Sequence, residues 1–224
     1  MNADSLRPSQ ADVWLRQGSD TLLVLLPGAL MRPSDVEMAG CLDVLRGRGP
    51  VLDLCVADMA MDRVVGGAPL ADLQARLLAP ARARYRQLWL GGISLGGFLC
   101  MAQACDRPDT VDGLCLIAPY PGSRVTTNQI RRAGGLASWE PDPAQRQDVE
   151  YRVWDWLRSP PATLPVFVGH GRDDRFADGM AAVAACFPPS SRHLVDGGHD
   201  WPAWRCLWQT FLDAAPFAAG RCRS

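Results

Sequence analysis

Apolar residues gather along this chain in short dense runs, separated by longer stretches in which they recur every three or four positions. The runs predict strands over Asp12–Gln17, Thr21–Leu26, Val51–Val56, Gln87–Gly91, Asp112–Ala118, Pro165–Gly169 and Arg192–Val195. All but the first read as apolar on both faces, as strands covered by helices on both sides should be. The stretches between them predict helices over Ser34–Arg46, Pro69–Ala83, Leu95–Cys105, Asp178–Cys186 and Trp201–Leu212. Ser34 with Glu37 three residues on has the form of a capping box, and Asp200 stands as N-cap before Trp201-Pro202. This alternation predicts an α/β fold: a mostly parallel central sheet of about six or seven strands with helices on both faces.

One connection breaks the rhythm. About 45 residues separate Ala118 from Pro165, against a usual loop of roughly 4–6. A helix over Gln147–Arg158, with Val149, Val153, Trp154 and Trp156 on a broad apolar surface, is predicted there. Residues 120–163 are either an ordinary crossover with extra loop or a small cap whose aromatic residues, Trp139 and Tyr151 included, face a ligand.

With 224 residues, 48% of them hydrophobic, the chain can bury one core, and a single domain over residues 1–224 is expected. The 23 basic and 24 acidic groups are scattered, which leaves no footprint for nucleic acid or an anionic membrane. Every basic residue is arginine. The absence of lysine excludes a pyridoxal Schiff base, a P-loop lysine and a Ser-Lys dyad. The eight cysteines, Cys222 among them, form no C-x-x-C pair, and most lie in apolar runs, as core thiols do. The polar start Met1–Pro8 lacks the apolar region of a signal peptide, so a reduced cytoplasm is expected. No apolar stretch approaches the roughly 18–20 residues of a membrane span. No metal-ligand spacing or dinucleotide fingerprint is visible, so neither a metal nor an organic cofactor is expected.

Chemistry concentrates just after the strands, where open α/β sheets bind ligands. Between the run Gln87–Gly91 and the next helix lies Gly92-Ile-Ser-Leu-Gly-Gly97, a serine with glycines two residues to either side. Ser94 would occupy a sharp strand-to-helix turn, and a β-carbon at Gly92 or Gly96 would clash where strand and helix cross. His170-Gly-Arg-Asp-Asp174 follows the sixth strand and Gly197-Gly-His-Asp-Trp201 the seventh. A nucleophile, an acid and a base thus occur in the order Ser, Asp, His. A serine hydroxyl needs an adjacent base, and imidazole titrates in the right range. Of the three histidines, His199 follows two glycines that let its loop reach back over the sheet edge; His193 lies within a strand and His170 directly after one.

These motifs, with Leu25-Leu-Pro-Gly-Ala-Leu30 after the first strong strand, resemble those of the α/β-hydrolase superfamily in a compact esterase- or lipase-like form. The resemblance spans roughly residues 20 to 215. It implies that Ser94 attacks an acyl carbonyl, that His199 takes and returns its proton, and that Asp174 orients the imidazole, with Asp173 as the other choice for the acid. It implies oxyanion donors at the backbone N–H of Leu95 and of Ala29, with Leu30 as the alternate; Pro27 stands where the family usually has histidine. Leu30 and Trp201 are candidates to contact substrate. The expected substrate is a small ester or thioester. A thioesterase or acyltransferase acting on a carrier-bound acyl group is the alternative, and a non-catalytic binding protein of the same fold is the rival from another class.

Overall fold

The computed structural model describes residues 11–49, 51–59, 68–214 and 216–217; the predicted features at Met1–Pro8 and Cys222 lie outside the described residues. Seven strands occur among those residues: β1 (Val13–Leu15), β2 (Thr21–Leu26), β3 (Asp53–Val56), β4 (Gln87–Ile93), β5 (Gly113–Ile117), β6 (Val166–Gly171) and β7 (Arg192–Val195). They form one sheet in the order β1-β3-β2-β4-β5-β6-β7, parallel throughout except for β1, which runs antiparallel to β3. The helices are α1 (Pro33–Met38), α2 (Cys41–Arg46), α3 (Ala68–Leu73), α4 (Ala79–Arg82), α5 (Leu95–Asp106), α6 (Arg124–Arg132), α7 (Val149–Leu157), α8 (Ala177–Ala185) and α9 (Trp201–Ala214).

The two-residue alternation of a strand explains why one apolar run serves two cores. In β2, Leu22, Val24 and Leu26 point into a layer built with α3, α4, α5 and α7, where Leu77, Leu99 and Trp154 are buried. Leu23 and Leu25 point the other way, into a layer with Leu42 and Leu45 of α2 and Trp208 and Phe211 of α9. The predicted sheet is present with helical cover over its central strands; β7, predicted apolar on both faces, lies at the sheet edge with Arg192 and Leu194 exposed.

Local departures have local causes. The helix predicted over Ser34–Arg46 is two helices, because Gly40 takes a φ of +78° between them. The predicted capping box at Ser34 is also absent. Pro33, with its fixed φ, takes the first helical position, which places Ser34 inside the helix. Asp35 instead accepts the N–H of Arg32 at 2.7 Å. The helix predicted over Pro69–Ala83 carries a π-helical stretch, Gln74–Leu78, just before Pro80, whose missing N–H interrupts a regular ladder. β6 runs to Gly171, so His170 lies within the strand rather than after it. Asp200 caps α9 as predicted, accepting the Ala203 N–H at 3.2 Å.

Two carboxylates fasten the amino-terminal edge of the sheet. Asp53, 4% exposed, accepts the N–H groups of Gln17 (2.8 Å) and Ser19 (3.1 Å) and the Tyr85 hydroxyl (2.9 Å). Burial, and then this bond to Asp53, push the Tyr85 phenol up to about 12. Asp112 receives both terminal nitrogens of Arg82 and the Leu88 N–H (2.7 Å), tying α4 to the start of β4 and β5. Burial alone would raise the Asp112 pKa, but the Arg82 guanidinium and the Leu88 N–H outweigh it and hold the carboxyl below its ordinary value.

Asp53→Ala removes the acceptor for three donors and should lower unfolding free energy by about 3 kcal/mol. Urea denaturation measures it, and a loss under about 1 kcal/mol would contradict the assigned network. Asp112 supplies a pH dependence of known sign. Its folded-state pKa lies below the unfolded one, so its contribution is complete above the unfolded value and is lost as pH falls through the folded value. The urea midpoint should therefore fall on acidification, and more shallowly in Asp112→Asn; identical slopes in the two proteins would remove Asp112 from the account.

Candidate active site

β4 turns into α5 through Ser94, whose backbone sits at φ +53°, ψ −115°. The strain is maintained by close packing. A β-carbon on Gly92 would lie 2.2 Å from the carbonyl carbon of Gly96, and one on Gly96 would lie 2.1 Å from the carbonyl oxygen of Leu26. Backbone bonds complete the turn: Ser94 N–H donates to Ile117 O at 2.9 Å, and Ser94 O accepts from Phe98 N–H (3.2 Å) and Tyr120 N–H (2.9 Å). Leu30 (φ +61°) and Ala118 (φ +45°) are likewise left-handed. These three non-glycine residues follow β2, β4 and β5 at the carboxyl edge of the sheet, and such a conformation costs about 1–3 kcal/mol at each.

The same edge brings Asp174 and His199 to Ser94. Gly171, the last residue of β6, would place a β-carbon 2.3 Å from Gly197 O, so the loop after β7 lies directly against the end of β6. Gly197 itself has φ +109°, which turns the chain back toward the sheet. His199 Nε2 lies 2.9 Å from Ser94 Oγ, and His199 Nδ1 lies 2.7 Å from Asp174 Oδ2. The Asp174 side chain is wholly buried, and its other oxygen accepts the Phe176 N–H at 2.8 Å. Asp173 is exposed and donates its N–H to Gly197 O at 2.9 Å. A carboxylate at Nδ1 favours the tautomer protonated there, which leaves Nε2 free to accept a hydroxyl proton. The ring is 11% exposed and clamped by two aromatic side chains, Phe176 at 5.3 Å and Trp204 at 5.1 Å, both edge-on.

The other histidines are engaged elsewhere. His193 stacks on Phe167 at 4.2 Å, and burial lowers its pKa. His170 is buried with Nδ1 3.0 Å from Gly171 O.

Ala29 and Leu30 form a turn closed by the Met31 N–H on Gly28 O at 3.2 Å. The Leu30 side chain projects into solvent, 99% exposed. Among the described residues no protein group accepts the N–H of Ala29 or of Leu95, and Leu95 opens a helix of 12 residues whose dipole favours negative charge there.

Beside this constellation lies a cleft of about 1050 Å³ between the segment from Tyr120 to Arg158 and α8. Its apolar lining includes Ile130, Leu136, Trp154 and Leu157. Phe176 and Tyr120, rings edge-on at 5.6 Å, line it where it approaches His199. Trp201 lies outside the cleft lining, edge-on to Trp204 at 5.2 Å. Among the other aromatic residues of this segment, Trp139 stacks with Tyr151 and Trp156 packs on Phe187, while Trp154 donates to Pro121 O at 2.9 Å. Sequence reasoning missed Phe176, Tyr120 and Trp204 as neighbours of the site. Tyr120 could have been found by inspecting the residues after the fifth strand; the contacts of the other two depend on how loops fold back.

Among the described residues no cluster of His, Cys, Asp or Glu is placed to hold a metal ion. The seven described cysteines are unpaired, and burial pushes the thiols of Cys55, Cys100 and Cys115 well above their ordinary pKa. No described helix is long and apolar enough to cross a membrane.

No protein-family model and no curated protein matches the chain. Solved structures do. An α/β hydrolase enzyme, MGS-MChE2, from the metagenome of sediments of the Mar Chica lagoon in Morocco, is 14% identical with a TM-score of 0.63, over 97% of this chain and 99% of that one. Est1E from Butyrivibrio proteoclasticus, solved with ferulic acid bound, is 15% identical with a TM-score of 0.61, covering 94% of each chain. A thermophilic esterase from Thermogutta terrifontis is 18% identical with a TM-score of 0.57, over 95% of this chain and 93% of that one. The order and direction of the strands, the serine at the strand-to-helix turn and these likenesses agree: the chain has the α/β-hydrolase fold.

Proposed function

We propose that this protein is a serine hydrolase that cleaves a carboxylic ester or thioester through an acyl-enzyme on Ser94. The observation that carries the reading is the continuous chain Ser94 Oγ, His199, Asp174, with spans of 2.9 and 2.7 Å. Neutral imidazole at Nε2 takes the hydroxyl proton as Oγ attacks the acyl carbon, and the tetrahedral oxyanion draws on the unengaged N–H groups of Leu95 and Ala29. Asp174, fixed by the Phe176 N–H, stabilises the imidazolium that forms. His199 then gives its proton to the leaving oxygen or sulfur. Water repeats the sequence on the acyl-enzyme, releasing the acid and restoring the serine. The esterases of similar fold support ester cleavage as the reaction class. In this reading residues 120–163 form a small cap over the site, and the acyl group or its leaving partner enters the cleft beside Phe176.

A fluorophosphonate probe should label the protein at Ser94 and not label Ser94→Ala; an unlabelled but folded wild-type chain would end the hydrolase reading. Asp174→Asn should lower kcat by about 10³-fold or more with little change in thermal unfolding, whereas Asp173→Asn should stay within about threefold. If the two effects are exchanged, the acid is Asp173.

A further inference from the structure

The charge along the cleft is one-sided although the chain as a whole is balanced. Arg124, Arg131, Arg158 and Arg175 line it, and among the described residues Asp178 is its one acidic lining residue. Outside the cleft Arg46, Arg76, Arg82 and Arg152 sit on carboxylates, while Arg192 donates to backbone carbonyls and Arg16 lies over Trp14. In the cleft Arg158 has Asp155 at 3.0 Å, and among the described residues Arg131 donates only to the neutral Asn128 amide oxygen at 2.8 Å. Arg124 and Arg175 have no carboxylate partner among the described residues.

Arg175 is the best placed of these. It lies between Asp174 and Phe176, both held in place, and its guanidinium carbon lies 4.8 Å from the centroid of the Phe176 ring. That ring meets His199 at 5.3 Å. Ser94, Asp174 and His199 are not themselves in the cleft lining, and the cation stands one aromatic ring from the imidazole. A guanidinium over a ring keeps its N–H edge free, and that planar fork matches a carboxylate or a phosphate. The apolar residues deeper in the cleft suit an uncharged hydrocarbon portion of the same molecule.

We propose that the ester or thioester cleaved at Ser94 carries an anionic group, carboxylate or phosphate, that binds Arg175 and the neighbouring cleft arginines. The inference rests on the serine-hydrolase reading for its chemistry and on the cleft for its charge.

Two matched substrate pairs test it. 4-Nitrophenyl butyrate against mono-4-nitrophenyl glutarate puts the anion on the acyl half. The butyryl thioester of N-acetylcysteamine against that of 4′-phosphopantetheine puts it on the leaving half. In at least one pair the anionic member should have the higher kcat/KM, and the pair that shows it names the half and the source of the charge. That preference should shrink about tenfold in Arg175→Gln, less in Arg175→Lys, and should fall with added salt. Equal or lower kcat/KM for both anionic members, or a preference unchanged in Arg175→Gln, overturns the proposal. Calorimetric titration of Ser94→Ala with mono-4-nitrophenyl glutarate and with 4′-phosphopantetheine separates the two readings. Arg175-dependent binding there, with no ester or thioester cleaved by the wild type, sinks the hydrolase reading and keeps the anion site.

Discussion

At the crossing of β4 and α5 two backbones approach so closely that no side chain fits between them. A β-carbon on Gly96 would sit 2.1 Å from Leu26 O, and one on Gly92 would run into Gly96 itself. This contact forces Ser94 into a left-handed conformation and lifts its hydroxyl off the end of the sheet. The strain persists because β2, β5 and the segment after β5 all hold it: Leu26 backs α5, Ile117 O receives the serine N–H, and Tyr120 donates to its carbonyl. The central strands of the sheet are therefore the foundation of the site, and loss of their packing would relax the turn.

From that turn the remaining geometry follows by short, separately anchored steps. Parallel pairing of β5, β6 and β7 brings their carboxyl ends into one row. Asp174 is held by a bond to the Phe176 N–H, and His199 by the edges of Phe176 and Trp204 together with Asp174 itself. A side chain restrained from three directions has little freedom left to lose, and the proposed acyl transfer would draw on that preorganisation. Phe176 makes several contacts at once: its N–H donates to Asp174, its ring lies perpendicular to that of His199, and its face carries Arg175.

The segment between β5 and β6 forms one side of the cleft, facing α8. α7 packs through Val153, Trp154 and Leu157 into the layer that α5 completes, while Glu150 accepts the Ser123 N–H and the Thr126 hydroxyl at the start of α6. These contacts hold α6 opposite α8 and keep the cleft between them open. Its arginines are exposed to water, so the anion proposed for them would be received without burying an unpaired charge.

Strands, helical layers and the loops that carry Ser94, Asp174 and His199 were legible in the sequence because each depends on local pattern: alternation, helical period, and glycines on either side of Ser94. Tertiary structure decided what local pattern leaves degenerate. Ser34 and Glu37 have the spacing of a capping box, yet Pro33 and Gly40 set the real ends of α1. Asp173 and Asp174 are equal as letters, and the turn after β6 exposes one while burying the other against an imidazole 25 residues away. Trp201 and Trp204 belong to one helical stripe, but the path of the loop after β7 puts the second against His199. Periodicity tells a residue which face it occupies; which neighbour it meets there depends on loops whose course is set by packing between segments far apart in the chain.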